Sequence, residues 1–111
     1  MRNSCRIRNL RVSLRQRTVL PRWQNPPSPE LKARWARFVA AVRKHEEGHQ
    51  AHGMDAAREV QSTLNRQRAN DCAQLERRID ALGAEIIARH AKRDVQHDAA
   101  TNHGIRQGAV W

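Results

Sequence analysis

From Leu10 to Leu20 the chain alternates, with Leu10, Val12, Leu14, Gln16, Thr18 and Leu20 on the even positions and Arg11, Ser13, Arg15 and Arg17 on the odd ones. A period of two marks a strand with one buried face. The strand is expected over residues 5–20, with a bulge or break near Arg8-Asn9, because Ile7 falls out of phase with the positions that follow. A lone strand needs a partner strand or helices to cover it.

Leu20-Pro21-Arg22-Trp23 closes the strand, and Asn25-Pro26-Pro27-Ser28-Pro29 is a stiff connector. Ser28 suits an N-cap, Pro29 the first helical position, and Glu30 the positive end of the dipole. Leu31, Trp35, Phe38, Val39 and Val42 then recur at helical spacing, and the same stripe continues through His45, His49, Ala56, Val60 and Leu64. A first helix is therefore expected over 29–66, with a bend near Gly53. Ala69-Asn70-Asp71 reads as a turn carrying the next cap. Cys72, Leu75, Ile79, Leu82 and Ile86 alternate three- and four-residue steps, the seam of a second helix over 72–95 that packs antiparallel to the first. After Val95 the apolar period stops, and residues 96–111 read as an irregular polar tail. The expected architecture is mainly α: a long helical hairpin, an N-terminal β-strand and a C-terminal tail, in one domain over 1–111.

His45-Glu46-Glu47-Gly48-His49 is H-E-x-x-H inside the first helix. Histidines four residues apart share a helix face, so both imidazoles can reach one Zn2+ ion, with the intervening glutamate beside the metal. Zinc lowers the pKa of a bound water to roughly 7, and Glu46 stands where it can act as general base. The motif lies on a stripe that is apolar at either end, which favours a held site over a chance match.

A catalytic zinc takes three protein ligands. His103 is the first choice for the third and Asp98 the second, both in the tail, with the one that does not bind orienting a ligand from behind. Asp55 is a weaker option, because its geometry calls for glycine at position 52, where this chain has His52. His97 or Arg106 is a candidate to stabilise a developing oxyanion. His52 and His90 read as surface or packing histidines, and Glu47 as solvent-facing.

Composition adds limits. The chain carries a net charge of +10, of which the segment before Gln24 supplies +7 through seven arginines and no acid. Such a segment attracts polyanions in general but is more simply a solvated face. No apolar run could span a membrane, and no apolar h-region follows Met1-Arg2, so no signal peptide is read. Cys5 and Cys72 form no C-x-x-C pair; on spacing alone, one long-range disulfide and two buried thiols are equally open.

Leu20-Pro21-Arg22-Trp23, Arg34-Trp35, Phe38, the H-E-x-G-H helix, Cys72 and Asp98-x-x-Thr101-x-His103-Gly104-x-x-Gln107-Gly108-Ala109 together resemble a bacterial family of uncharacterised domains described as predicted secreted zinc-dependent proteases. The resemblance runs from about Cys5 to the C-terminus. It implies a zincin-like α+β domain, a periplasmic or secreted location, a peptide or protein substrate, and a Cys5–Cys72 disulfide. It also implies that Met1 is a late start and that the sheet is trimmed at its front. The family usually has tyrosine where this chain has His97.

Three readings follow. The first is a zinc metallopeptidase with His45, His49 and His103 on the metal and Glu46 as base. The second is a non-catalytic zinc module stapling the tail to the hairpin. A basic nucleic-acid-binding hairpin ranks last, since no stacking platform or recognition-helix pattern supports it.

Overall fold

In the computed structural model, which describes residues 4–111, the first helix begins where the proline-rich connector ends. Ser28 is its N-cap, with the hydroxyl accepting the Leu31 N–H at 3.2 Å, Pro29 at the start and Glu30 in the first turn. α1 spans Pro29–Asn65 and continues unbroken through Gly48 and Gly53. A tight connection leads to Asp71, whose carboxylate accepts the Gln74 N–H at 2.7 Å and caps α2, Cys72–Thr101.

Contacts between the helices pair Leu64 with Gly83, Glu59 with Arg89, His52 with Asp94 and His45 with Asp98. The numbering falls along one helix as it rises along the other, so they run antiparallel. The molecule is mainly helical, with one two-stranded antiparallel sheet in which β1 (Cys5–Arg6) pairs with β2 (Arg68–Ala69) in register Cys5↔Ala69 and Arg6↔Arg68. A disulfide joins Cys5 to Cys72 beside that sheet. Closing 67 residues of sequence separation is worth about 4 kcal/mol in the chain-entropy account.

The shape is long and thin, 78 × 25 × 15 Å, with a radius of gyration of 20.8 Å against roughly 13 Å for a compact domain of this length. Its core is correspondingly spare. Leu64, Leu75 and Ile86 are the buried apolar residues among those described, and the buried polar ones are His45 and His90. At one end Trp23, Trp35, Phe38 and Trp111 gather with ring centroids 5.5–6.2 Å apart, and the Arg34 guanidinium lies 4.3 Å from the Trp111 ring. This cluster ties the connector and the C-terminus to the start of α1. No helix among the described residues is long and apolar enough to cross a membrane.

Two expectations are corrected. The strand over 5–20 shrinks to Cys5–Arg6; the chain bends at Arg8, and residues 10–20 are extended but unpaired. Their alternation is real, since Leu10, Val12, Thr18 and Leu20 are half-buried and the arginines exposed. What covers them is α1, whose Asn65 amide both accepts the Leu10 N–H and donates to the Leu10 carbonyl at 2.8 Å, while Gln61 accepts the Val12 N–H at 3.0 Å. Period two reports a one-sided environment, and a helix surface supplies that as well as a sheet does. Second, the irregular tail does not begin at residue 96, because α2 continues to Thr101. The apolar period ends earlier because that stretch of helix faces polar side chains instead of a core. Arg2, counted among the N-terminal arginines, and the question of Met1 as a start lie outside the described residues.

Candidate metal centre

Halfway along α1, His45 and His49 face the last two turns of α2. His45 Nε2 lies 2.9 Å and His49 Nε2 2.8 Å from the same atom, Oδ1 of Asp98. The other nitrogen of each ring is also held. His49 Nδ1 is 3.0 Å from Asp94 Oδ1, and His45 Nδ1 is 2.8 Å from Gln107 Oε1. Asp94 Oδ1 takes a second histidine as well, His52 Nδ1 at 2.9 Å. The result is a continuous row, His45–Asp98–His49–Asp94–His52, alternating between the two helices.

Both ring nitrogens of His45 face acceptors. Thr101 Oγ1 donates its one proton to the His97 carbonyl at 2.8 Å, so towards His45 Nδ1, 3.2 Å away, it can only accept. Gln107 Oε1 is likewise an acceptor. Nδ1 of His45 therefore carries hydrogen, and its Nε2 is the nitrogen that meets Asp98. Gln107 reaches this position because the chain turns sharply after α2. Asn102, His103 and Gly104 all have positive φ (49, 55 and 93°), which brings the 3-10 turn Ile105–Gln107 back over His45. A Cβ on Gly104 would lie 3.2 Å from His45 Cγ and from Ala109 Cβ, so this turn requires glycine on both counts.

His97 packs on the other side of His45, with rings stacked at 4.6 Å and 13° between planes, and its Nε2 donates to the His45 carbonyl at 3.1 Å. The ring sits directly over Gly48. Two groups of residues bring possible ligand atoms within 4.8 Å of one another, His45–His49–His97 and His49–His52–Asp94.

Electrostatics follow from the row. The hydrogen bond from His49, supported by that from His45, holds Asp98 below the ordinary carboxylate pKa against the opposing effect of burial. Burial pushes Asp94 up, but hydrogen bonds from His49 and His52 outweigh it, and its pKa is lowered. For His49, burial favours the neutral ring; the hydrogen bonds and charges of Asp94 and Asp98 prevail, and its pKa is raised. A neutral imidazole donates from one nitrogen only, so His49 can satisfy both carboxylates only as a cation.

Histidine nitrogens and carboxylate oxygens are donors that divalent transition ions take, and two sets of them stand close together here. Two Nε2 atoms and a carboxylate oxygen converge, and each histidine's remaining N–H has an acceptor behind it, the arrangement that orients metal-ligating imidazoles. Zn2+ suits nitrogen and oxygen donors of this kind.

Glu46 is half-buried and makes no hydrogen bond among the described residues. With His49 it lines an open cleft of about 300 Å³ that Gln16, Arg17 and Thr18 also border. The structure thus brings together His45, Glu46, His49, His97 and Asp98. His103 is exposed on the left-handed turn; neither it nor Asp98 is in the two groups of ligand atoms, but Asp98 alone of the two meets His45 and His49. Arg106 is exposed and donates to the Ala100 carbonyl at 2.9 Å, away from the row. Asp55 is exposed 3.9 Å from Arg58. His90 is buried and packs near Glu59. Sequence reasoning gave no role to His52, Asp94, Thr101 or Gln107. A signal was present: Asp94, Asp98 and Thr101 repeat at helical spacing on α2, as His45, His49 and His52 do on α1.

No curated protein and no solved structure shows a significant match to this chain. A family profile does, over residues 1–104 of 111. The chain belongs to the bacterial family described as bacterial protein of unknown function (DUF922).

Proposed function

We propose that this protein is a zinc-dependent peptidase of an oxidising, extracytoplasmic compartment. The observation that carries the reading is the convergence of His45 Nε2 and His49 Nε2 on Asp98 Oδ1, with the carboxylate of Glu46, which makes no hydrogen bond among the described residues, one residue from the first histidine. His45, His49 and Asp98 would hold the ion. Zinc, when bound, would acidify water and polarise a carbonyl. Glu46 would take that water's proton and return it to the leaving amine, a role that needs a carboxylate free of hydrogen bonds and open to a cleft. His97 already donates Nε2–H to the His45 carbonyl, so it would serve a developing oxyanion only as the doubly protonated ring. The disulfide supports the compartment, since such bonds persist where thiols are oxidised.

The test is Glu46→Gln. The variant should keep its zinc and lose roughly 10²–10⁴ of kcat/KM on a peptide substrate. Hydrolysis at the wild-type rate would remove Glu46 as the base.

A second reading is a zinc staple without catalysis. It is favoured by the site's position where α1, α2 and the 3-10 turn meet, so that one ion would pin three elements. It predicts a large rise in Tm with zinc and no cleavage of any peptide.

A further inference from the structure

Residues 13–20 form an extended segment that ends at Pro21, and among the described residues none of its backbone N–H or C=O groups makes a hydrogen bond within the protein. It is held in place by side chains. Gln16 donates to the Gln50 carbonyl at 3.2 Å, and Gln50 in turn donates to the Thr18 hydroxyl. An unpaired, extended edge is a template for another strand. Its exposed positions include Arg15 and Arg17, and neither forms an ion pair among the described residues. Arg17 also borders the cavity that contains Glu46 and His49. Just before it along the segment, Val12 and Leu14 border a second cavity of about 360 Å³, walled by Ala56, Val60 and Ile87, and Leu14 and Ile87 are left exposed there.

We propose that this edge binds an extended acidic peptide, which pairs with residues 13–20, places a carboxylate side chain against Arg17 and seats an apolar side chain in the cavity beside Leu14. Charge decides between the possible occupants. A second copy of the same edge would set arginine against arginine, which opposes self-pairing. Nucleic acid has no backbone groups to match a strand edge, and the four aromatic rings available to stack on bases are packed against one another around Trp111. An acidic strand satisfies the open backbone and the arginines together. The inference rests on the proposed hydrolytic reading only in so far as the bound peptide is called a substrate.

The experiment is fluorescence anisotropy with zinc-loaded Glu46→Gln protein, so that binding is read without cleavage. The probes are a labelled peptide containing Glu and Leu, its Lys counterpart, its backbone N-methylated counterpart and a single-stranded oligonucleotide. The acidic peptide should bind at least about tenfold tighter than the Lys and N-methylated forms, and Arg17→Glu should abolish that margin. Leu14→Glu, at an already exposed position, should weaken binding with no change in Tm. Equal affinity for the Glu and Lys peptides, indifference to N-methylation, or preference for the oligonucleotide would each overturn the proposal. Peptide binding without cleavage by the wild type would leave this inference standing and remove the peptidase reading. Cleavage of an unselective protein substrate, with no acidic preference in binding, would do the reverse.

Discussion

His97 stacks on His45 at 4.6 Å and also donates to the backbone carbonyl of the same residue. One side chain thus braces both the ring and the helix turn of a metal-motif histidine. The position it occupies exists because residue 48 has no side chain: a Cβ there would lie 2.6 Å from His97 Nε2 and 2.8 Å from Cε1.

That relationship makes Gly48→Ala informative. In an open helix the change would stabilise by about 1 kcal/mol. Here it forces the His97 ring to move, and overpacking of this kind costs about 1–3 kcal/mol. The net effect should be destabilising, lowering Tm by about 5 °C. On a His97→Ala background the same substitution should instead raise Tm, and a double-mutant cycle by thermal melting measures the coupling. An equal drop in both backgrounds would show that His97 is not what excludes the side chain.

The groups behind the histidines should matter for metal affinity. Asp94→Asn and Gln107→Leu should each weaken zinc binding by roughly 10–100-fold, as loss of an orienting acceptor does elsewhere. Asp98→Ala should cost more, since it removes a donor atom. His103→Ala, on an exposed turn, should leave affinity near that of the wild type. Competition with a chromophoric chelator ranks the four variants.

Much of this arrangement could be read before the structure, and the reasons for the rest are physical. Ser28 and Asp71 announce helix starts through local chemistry, which needs no tertiary context. His45, Glu46 and His49 are fixed by helical spacing alone. The pairing of His49 with Asp94 depends on how two helices align across a turn, and an apolar period says nothing about polar faces that meet. The end of α2 is illegible for the same reason, because His97, Asp98 and Thr101 belong to a helix whose inner face is polar. At the N-terminus the alternation of Leu10–Leu20 recorded burial correctly but could not say that amides of Asn65 and Gln61 stand where a strand would.

Acid should loosen the molecule away from the site as well. Arg89 grips Glu59 through two hydrogen bonds of 2.7 and 2.8 Å, and this contact, aided by His90 against the opposing effect of partial burial, lowers the Glu59 pKa from 4.5 to about 2. A carboxylate with a depressed folded-state pKa contributes its full stabilisation above the unfolded value and loses it as pH falls through the folded one. The Glu59 contribution is therefore complete above pH 4.5 and disappears between there and about 2. Denaturant melts across that range should show Glu59→Gln losing less stability with acid than the wild type. Parallel curves would mean that the Arg89 contact is not maintained in solution.

The central claim is that His45 and His49 grip a divalent ion together with the end of α2, and metal analysis of the purified protein tests it most directly. Chain expressed in zinc-supplemented medium and purified without chelators should carry about one zinc per molecule, and His49→Ala should carry almost none. Wild-type protein that emerges metal-free and fails to take up added zinc would contradict the account.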